Sequence, residues 1–130
     1  MPYLTIRTDK PESEIGLFDG EKKLAYETWQ AHRQLGATIH LKLDEIMQKQ
    51  KMALQDVKGI VVFEGPGSFT GLRIGISVAN GLSYGLQCPV VAATGDDWIR
   101  QGITHLDSGE NDTSVTPHYG APVHITQQKR

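Results

Sequence analysis

Gly65-Pro66-Gly67-Ser68-Phe69-Thr70-Gly71-Leu72-Arg73-Ile74-Gly75 joins an apolar run, Ile60-Val61-Val62-Phe63, to a proline-free segment with helical spacing that extends from Leu72 to Leu86. The run before it has the length and β-branched composition of a buried strand. Strand, glycine-rich turn and helix form the context in which backbone N–H groups meet a phosphate, or in which another chain comes close. Two familiar phosphate loops do not fit. A Walker loop ends in Gly-Lys-Ser/Thr, where this chain has Phe69-Thr70-Gly71-Leu72-Arg73. The spacing Gly65, Gly67, Gly71 is not that of the dinucleotide fingerprint. Gly65, Gly67, Ser68 and Thr70 stand as residues of an anion or nucleotide loop. The alternative is a plain turn in which Ser68 or Thr70 caps the helix.

The helix carries two ridges of small residues. Gly71, Gly75 and Ala79 lie four apart on one side, and Gly81 and Gly85 form a second ridge offset around the axis. An interior helical glycine costs about 1 kcal/mol against alanine, so so many in one helix imply close backbone approach to a neighbour. That neighbour is either the chain's own sheet or a partner's helix, and the offset lets both hold, one on each side. Arg73, one turn in, is placed to hold a partner carboxylate, a phosphate or Glu64.

Upstream, Leu4 and Ile6 alternate with polar residues, Asp9-Lys10-Pro11 makes a turn, and Ser13 to Phe18 continues to Asp19-Gly20, a hairpin signal. Leu24 to Trp29 completes a three-strand meander. Over residues 33–51 the period changes: Leu35, Ile39, Leu43, Ile46 and Met47 mark an amphipathic helix. Downstream, Pro89 to Ala93 reads as a buried strand, and Thr94-Gly95-Asp96-Asp97 as a turn and N-cap for a helix from Trp98 to Gly102 or a little beyond. Residues 107–114 are polar and turn-rich and are expected to be mobile. Val123 and Ile125 suit a short edge strand, limited by Pro117 and Pro122. The expected fold is α/β: a mixed sheet whose antiparallel meander is followed by α-β-α-β-α. Residues 1–106 form the lobe, and 107–130 a polar linker and tail packed on it.

One domain is the simplest organisation for 130 residues, enough to remove roughly two thirds of the unfolded surface from water without staples. A net charge of −2 gives no global attraction to nucleic acid or anionic membrane. Lys49, Lys51 and Lys129-Arg130 read as solvated charges. The single cysteine, Cys88, excludes an intramolecular disulfide, reads as a small buried hydrophobe and favours a reducing setting. No apolar run approaches the roughly 20 residues of a membrane helix, and Met1-Pro2-Tyr3-Leu4 lacks the basic and apolar regions of a secretion signal. A cytoplasmic location is the expectation.

Chemistry is sparse outside the loop. His32, His40, His105, His118 and His124 include no zinc-protease spacing. Asp44-Glu45 and Asp96-Asp97 are neighbours that point apart rather than acid–base pairs. There is no Gly-x-Ser-x-Gly elbow, and a peptidase reading lacks both metal ligands and a nucleophile. No metal and no cofactor is expected.

The stretch from Glu64 to Gly75 closely resembles the signature of the bacterial TsaB family, also called YeaZ; eleven consecutive positions, Gly65 to Gly75, fit its pattern. A weaker resemblance spans about residues 3–105. It implies a single actin-like ATPase, or ribonuclease H-like, lobe and a non-catalytic role beside the threonylcarbamoyl transferase TsaD. Together with the ATPase TsaE, these proteins make threonylcarbamoyladenosine in tRNA. It further implies docking through two helices, here 35–50 and 70–86, against TsaD or a second copy. Leu35, Ile39, Leu43, Ile46 and Met47 on the first and Gly71, Leu72, Arg73, Gly75 and Ala79 on the second are the expected partner-binding residues. The chain departs from the family in three places. It resembles the first of two lobes plus a tail. Arg7 stands where active relatives have a metal- and phosphate-coordinating aspartate, in Ile6-Arg7-Thr8-Asp9 where the family has Leu-Asp-Thr-Ser. Leu35-Gly36 replaces a His-Ser pair. The competing expectation is a small nucleotide-binding phosphotransferase or hydrolase using the Gly65–Gly71 loop.

Overall fold

The computed structural model describes residues 2–31, 34–66 and 69–116, the side chain of Phe69 excepted. Val123 and Ile125, with His32, His118 and His124, lie outside the described residues. The chain forms β1 (Pro2–Arg7), β2 (Glu12–Asp19), β3 (Lys22–Gln30), α1 (Leu35–Lys49), a 3-10 turn at Leu54–Asp56, β4 (Gly59–Phe63), α2 (Phe69–Leu86), β5 (Val90–Ala93) and α3 (Trp98–Asp107). The meander and the α-β-α-β-α order both appear as the residue pattern predicts.

Among the described residues, five strands lie in the order β3-β2-β1-β4-β5. β1 pairs antiparallel with β2, and β2 with β3, while β4 runs parallel to β1 and β5 parallel to β4. Gly20, with φ +60, sits in the turn between β2 and β3, a conformation that glycine adopts without a Cβ penalty.

Alternation along the strands sorts the core into two layers. Leu4, Ile6, Ile15, Leu17, Ile60, Val62 and Val90 face the side covered by α1 and α2. Val61, Phe63, Val91 and Ala93 face α3, whose Trp98, Ile103 and Leu106 complete the second layer with Leu72 and Phe18. Gly102 brings α3 down onto β4: a Cβ there would lie 2.2 Å from Val61 Cγ1. Trp98 meets Phe63 edge-on at 5.8 Å. Cys88 is buried, and desolvation raises its thiol pKa.

Two local expectations change. α3 continues five residues past Gly102 to Asp107, because Ile103 and Leu106 extend its apolar face onto the sheet. Residues 111–115 are bonded to β5 and α2, where polar composition alone suggests mobility.

Candidate functional site

Because β1, β4 and β5 are parallel, their C-terminal ends meet at one end of the sheet, beside the start of α2. Arg7 closes this place. Its Nε donates to Asp9 Oδ1 at 2.7 Å and its Nη2 to Asp9 Oδ2 at 3.1 Å, while the guanidinium lies 3.9 Å from the centroid of Phe63. The Asp9 side chain is only 7% exposed, and the bond to it raises the Arg7 pKa further above its ordinary value. Such a forked pair is geometrically specific and satisfies both partners. Next to it, Thr8 Oγ1 donates to the Gly71 carbonyl at 2.7 Å, stitching the end of β1 to the first turn of α2. Tyr26 donates to Glu14 on the adjoining strands, and desolvation, with that bond, raises the Tyr26 pKa.

The loop residues are distributed around this closure. Gly65 has φ +113 and precedes a cis Pro66, and Thr70 is exposed within the first turn of α2 rather than at its cap. Gly67 and Ser68 lie outside the described residues. Among the described residues no three His, Cys, Asp or Glu side chains are grouped to hold a metal ion.

The partner-facing assignment of the two helices needs correction. Leu35, Ile39, Leu43, Ile46 and Met47 are buried in the chain's own core under α1, and so are Leu72 and Ala79 under α2. Gly75 faces inward as well: a Cβ there would lie 2.1 Å from Thr8 Oγ1. The reason is that these periodic positions form the stripe each helix needs to cover the sheet. Of the two ridges, Gly71-Gly75-Ala79 therefore serves the chain itself. The other turns outward, and a Cβ at Gly81 or Gly85 would meet nothing within 4 Å.

Between α1 and α2 this outer side forms two adjoining depressions of about 380 and 320 Å³. Gly36, His40, Thr70, Arg73, Ile74, Ser77 and Val78 line the first. His40, Ser77, Val78, Gly81 and Leu82 line the second. Tyr84, 88% exposed, and Leu41, 60% exposed, are the large hydrophobic residues that the described structure leaves in solvent. Of the expected docking residues, only Arg73 reaches this groove; Thr70 joins it from the loop. Gly36, His40, Ser77, Leu41 and Tyr84 escape a search for apolar period, which finds the covered side of a helix, whereas Gly81 belongs to the second ridge that glycine spacing shows. A depression of about 530 Å³ on the α3 side, floored by Phe18 and Tyr26 and flanked by Ile99 and Ile103, contains none of the expected site residues.

Sheet order and helix placement define a ribonuclease H-like, actin-like lobe. RuvC from Thermus thermophilus shares that fold with a TM-score of 0.51 at 11% identity, over 90% of this chain and 85% of its own. YeaZ from Pseudomonas aeruginosa matches with a TM-score of 0.67 at 26% identity, over 78% of this chain and 50% of that one. The family model of TsaD, tRNA N6-adenosine threonylcarbamoyltransferase, matches residues 29–94. The chain is 34% identical over 95 residues to the tRNA threonylcarbamoyladenosine biosynthesis protein TsaB of Haemophilus influenzae, covering 73% of this chain and 39% of that protein. It is 35% identical over 78 residues to the tRNA N6-adenosine threonylcarbamoyltransferase of Geotalea daltonii, covering 60% of this chain and 20% of that enzyme. The chain belongs to this TsaD-type family and is a TsaB (YeaZ)-like member of it. It spans half or less of the length of these family relatives. Among the described residues no helix is long and apolar enough to cross a membrane.

Proposed function

We propose that the chain acts in threonylcarbamoyladenosine formation in tRNA as a non-catalytic partner of a TsaD-type transferase, docking through the outer sides of α1 and α2. The observation that carries this reading is the groove between the two helices. Its floor is small (Gly36, Ser77 and Gly81), and Tyr84 and Leu41 stand exposed on the same two helices. A helix surface without bulk lets another helix approach at short interaxial distance, and a tyrosine such as Tyr84 is a usual anchor at such contacts. The non-catalytic part of the reading is supported by Arg7, whose forked bond with Asp9 fills the end of β1 with a neutralised pair. A second copy of the chain is an alternative occupant of the same groove, and a TsaE-like ATPase would join through the transferase complex.

The test is co-purification with the TsaD-type protein of the same organism, followed by titration calorimetry and a tRNA modification assay with and without this chain. Gly81→Leu and Gly85→Leu have room in the free protein, and each should weaken binding at least tenfold while leaving the melting curve intact. Wild-type affinity in the double variant would refute docking at this face. Gly75→Leu is unsuited to the purpose, since it strikes Thr8 and reports on folding.

A further inference from the structure

Among the described residues β5 is the last strand of the sheet, and a bare strand edge is a template for pairing with another chain. The Pro89 carbonyl accepts from the Ile60 N–H at 2.9 Å and the Ala93 carbonyl from the Glu64 N–H at 3.1 Å, both toward β4. Backbone groups along a strand alternate in direction, so those of Val90 and Ala92 face away from the sheet. Residues that follow α3 meet them there. The Asp112 N–H donates to the Val90 carbonyl at 2.8 Å. The Val90 N–H donates to Asn111 Oδ1 at 3.2 Å, and the Ala92 N–H to Asp112 Oδ2 at 2.8 Å. Asn111 Oδ1 also accepts from the Thr113 N–H at 2.8 Å, which fixes its direction.

The segment is fastened again further along. Asn80 Nδ2 donates to the Val115 carbonyl and the Val115 N–H donates to Asn80 Oδ1, each at 2.9 Å. One side-chain amide thus supplies the donor and the acceptor that a neighbouring strand would supply. The Val115 side chain is 5% exposed and enters the core layer beneath α1 and α2.

We propose that residues 111–115 are an edge guard that keeps β5 from pairing with β5 of a second copy of the chain. Side-chain oxygens occupy the edge N–H groups, and they offer no continuing ladder to the next chain. The carboxylate of Asp112 adds a charge at the place where an incoming strand would lie.

The test is residue-resolved hydrogen exchange with sedimentation at increasing concentration, on Asn111→Ala/Asp112→Ala and, separately, on Asn80→Ala. In dilute solution the double variant should exchange at Val90 and Ala92 at least tenfold faster than wild type, and Asn80→Ala about threefold faster. At high concentration the double variant should form a heavier species in which Val90 and Ala92 regain protection. Association through α1 and α2 would instead protect residues near Gly81, so the two contacts are separable. Wild-type exchange rates in both variants would overturn the proposal, as would lost protection that no concentration restores. Should the double variant unfold, Asn80→Ala carries the test, because the hydrogen bonds of Asn80 go to Val115 and not to β5.

Discussion

Replacing Gly75 and Gly81 by alanine, one at a time, should move stability in opposite directions, although both lie inside α2. At Gly81 the new methyl group meets nothing within 4 Å. The helix gains the full preference for alanine over glycine, about 0.8–1.0 kcal/mol, equivalent to a rise in melting temperature of about 4 °C for a domain of this size. At Gly75 the methyl carbon would lie 2.1 Å from Thr8 Oγ1, 3.0 Å from its Cγ2 and 3.1 Å from its Cβ. Thr8 cannot turn aside and keep its 2.7 Å bond to the Gly71 carbonyl. Losing that bond costs about 1 kcal/mol, and overpacking costs about 1–3 kcal/mol more. Against the same helical gain, the net loss is about 1–3 kcal/mol. Urea unfolding followed by circular dichroism, with unchanged dependence on denaturant, measures both values. A Gly75→Ala protein as stable as wild type, or a Gly81→Ala protein less stable, would refute the assignment of the two ridges to opposite sides of the helix.

Other substitutions probe the remaining joints. Gly102→Ala drives a methyl into Val61 and should cost about 1–3 kcal/mol; Val61→Ala in the same chain should return part of that loss in a denaturant series. Arg7→Ala leaves Asp9 buried without its forked cation and uncovers Phe63. Unfolding at pH 7 should show a loss of about 2 kcal/mol, in the range for hydrogen bonds to charged groups, and Arg7→Lys should recover only part of it. Tyr3 donates to Asp107 at 2.7 Å, and that bond, with desolvation and the Asp107 charge, pushes its pKa up to about 12 from 10. The folded value is the higher one, so this contribution is complete below pH 10 and is lost as pH rises from 10 to 12. The bond itself is exposed to solvent, so the effect is small. Tyr3→Phe should flatten the fall in melting temperature over that interval and remove a phenolate step near pH 12 from an ultraviolet titration.

Strand alternation and turn residues were enough to read the meander, because Leu4, Ile6, Ile15 and Leu17 each report a face that water does not reach. The three-and-four spacing in residues 35–47 likewise located α1 and its covered side. Spacing reports that a side is covered without reporting by what, and that is why Leu35, Ile39, Leu43, Ile46 and Met47 read as docking residues while the sheet takes them. Glycine spacing has the same ambiguity: Gly75 and Gly81 look alike in sequence, and only the position of Thr8 separates them. Arg7 stood out as a cation where active relatives have an acid. Its fork with Asp9 is not legible, since spacing does not report that the turn after β1 buries the Asp9 carboxylate against it. The bonds of Asn111, Asp112 and Asn80 were hidden for a related reason. Asparagine and aspartate imitate backbone groups as readily in a fixed segment as in a loose turn.

The buried side chain of Val115 sets where the chain can safely be shortened. A reader of helix patterns would cut just beyond α3, at Ser108 or Gly109. Such a cut deletes a residue of the main hydrophobic layer and strips Asn80 of both bonds that hold it. A shortened chain that keeps this layer whole therefore runs at least to residue 115, eight positions beyond the last helical residue, Asp107. A break in the chain between those two points would leave Val115 held only by its burial and its two bonds to Asn80.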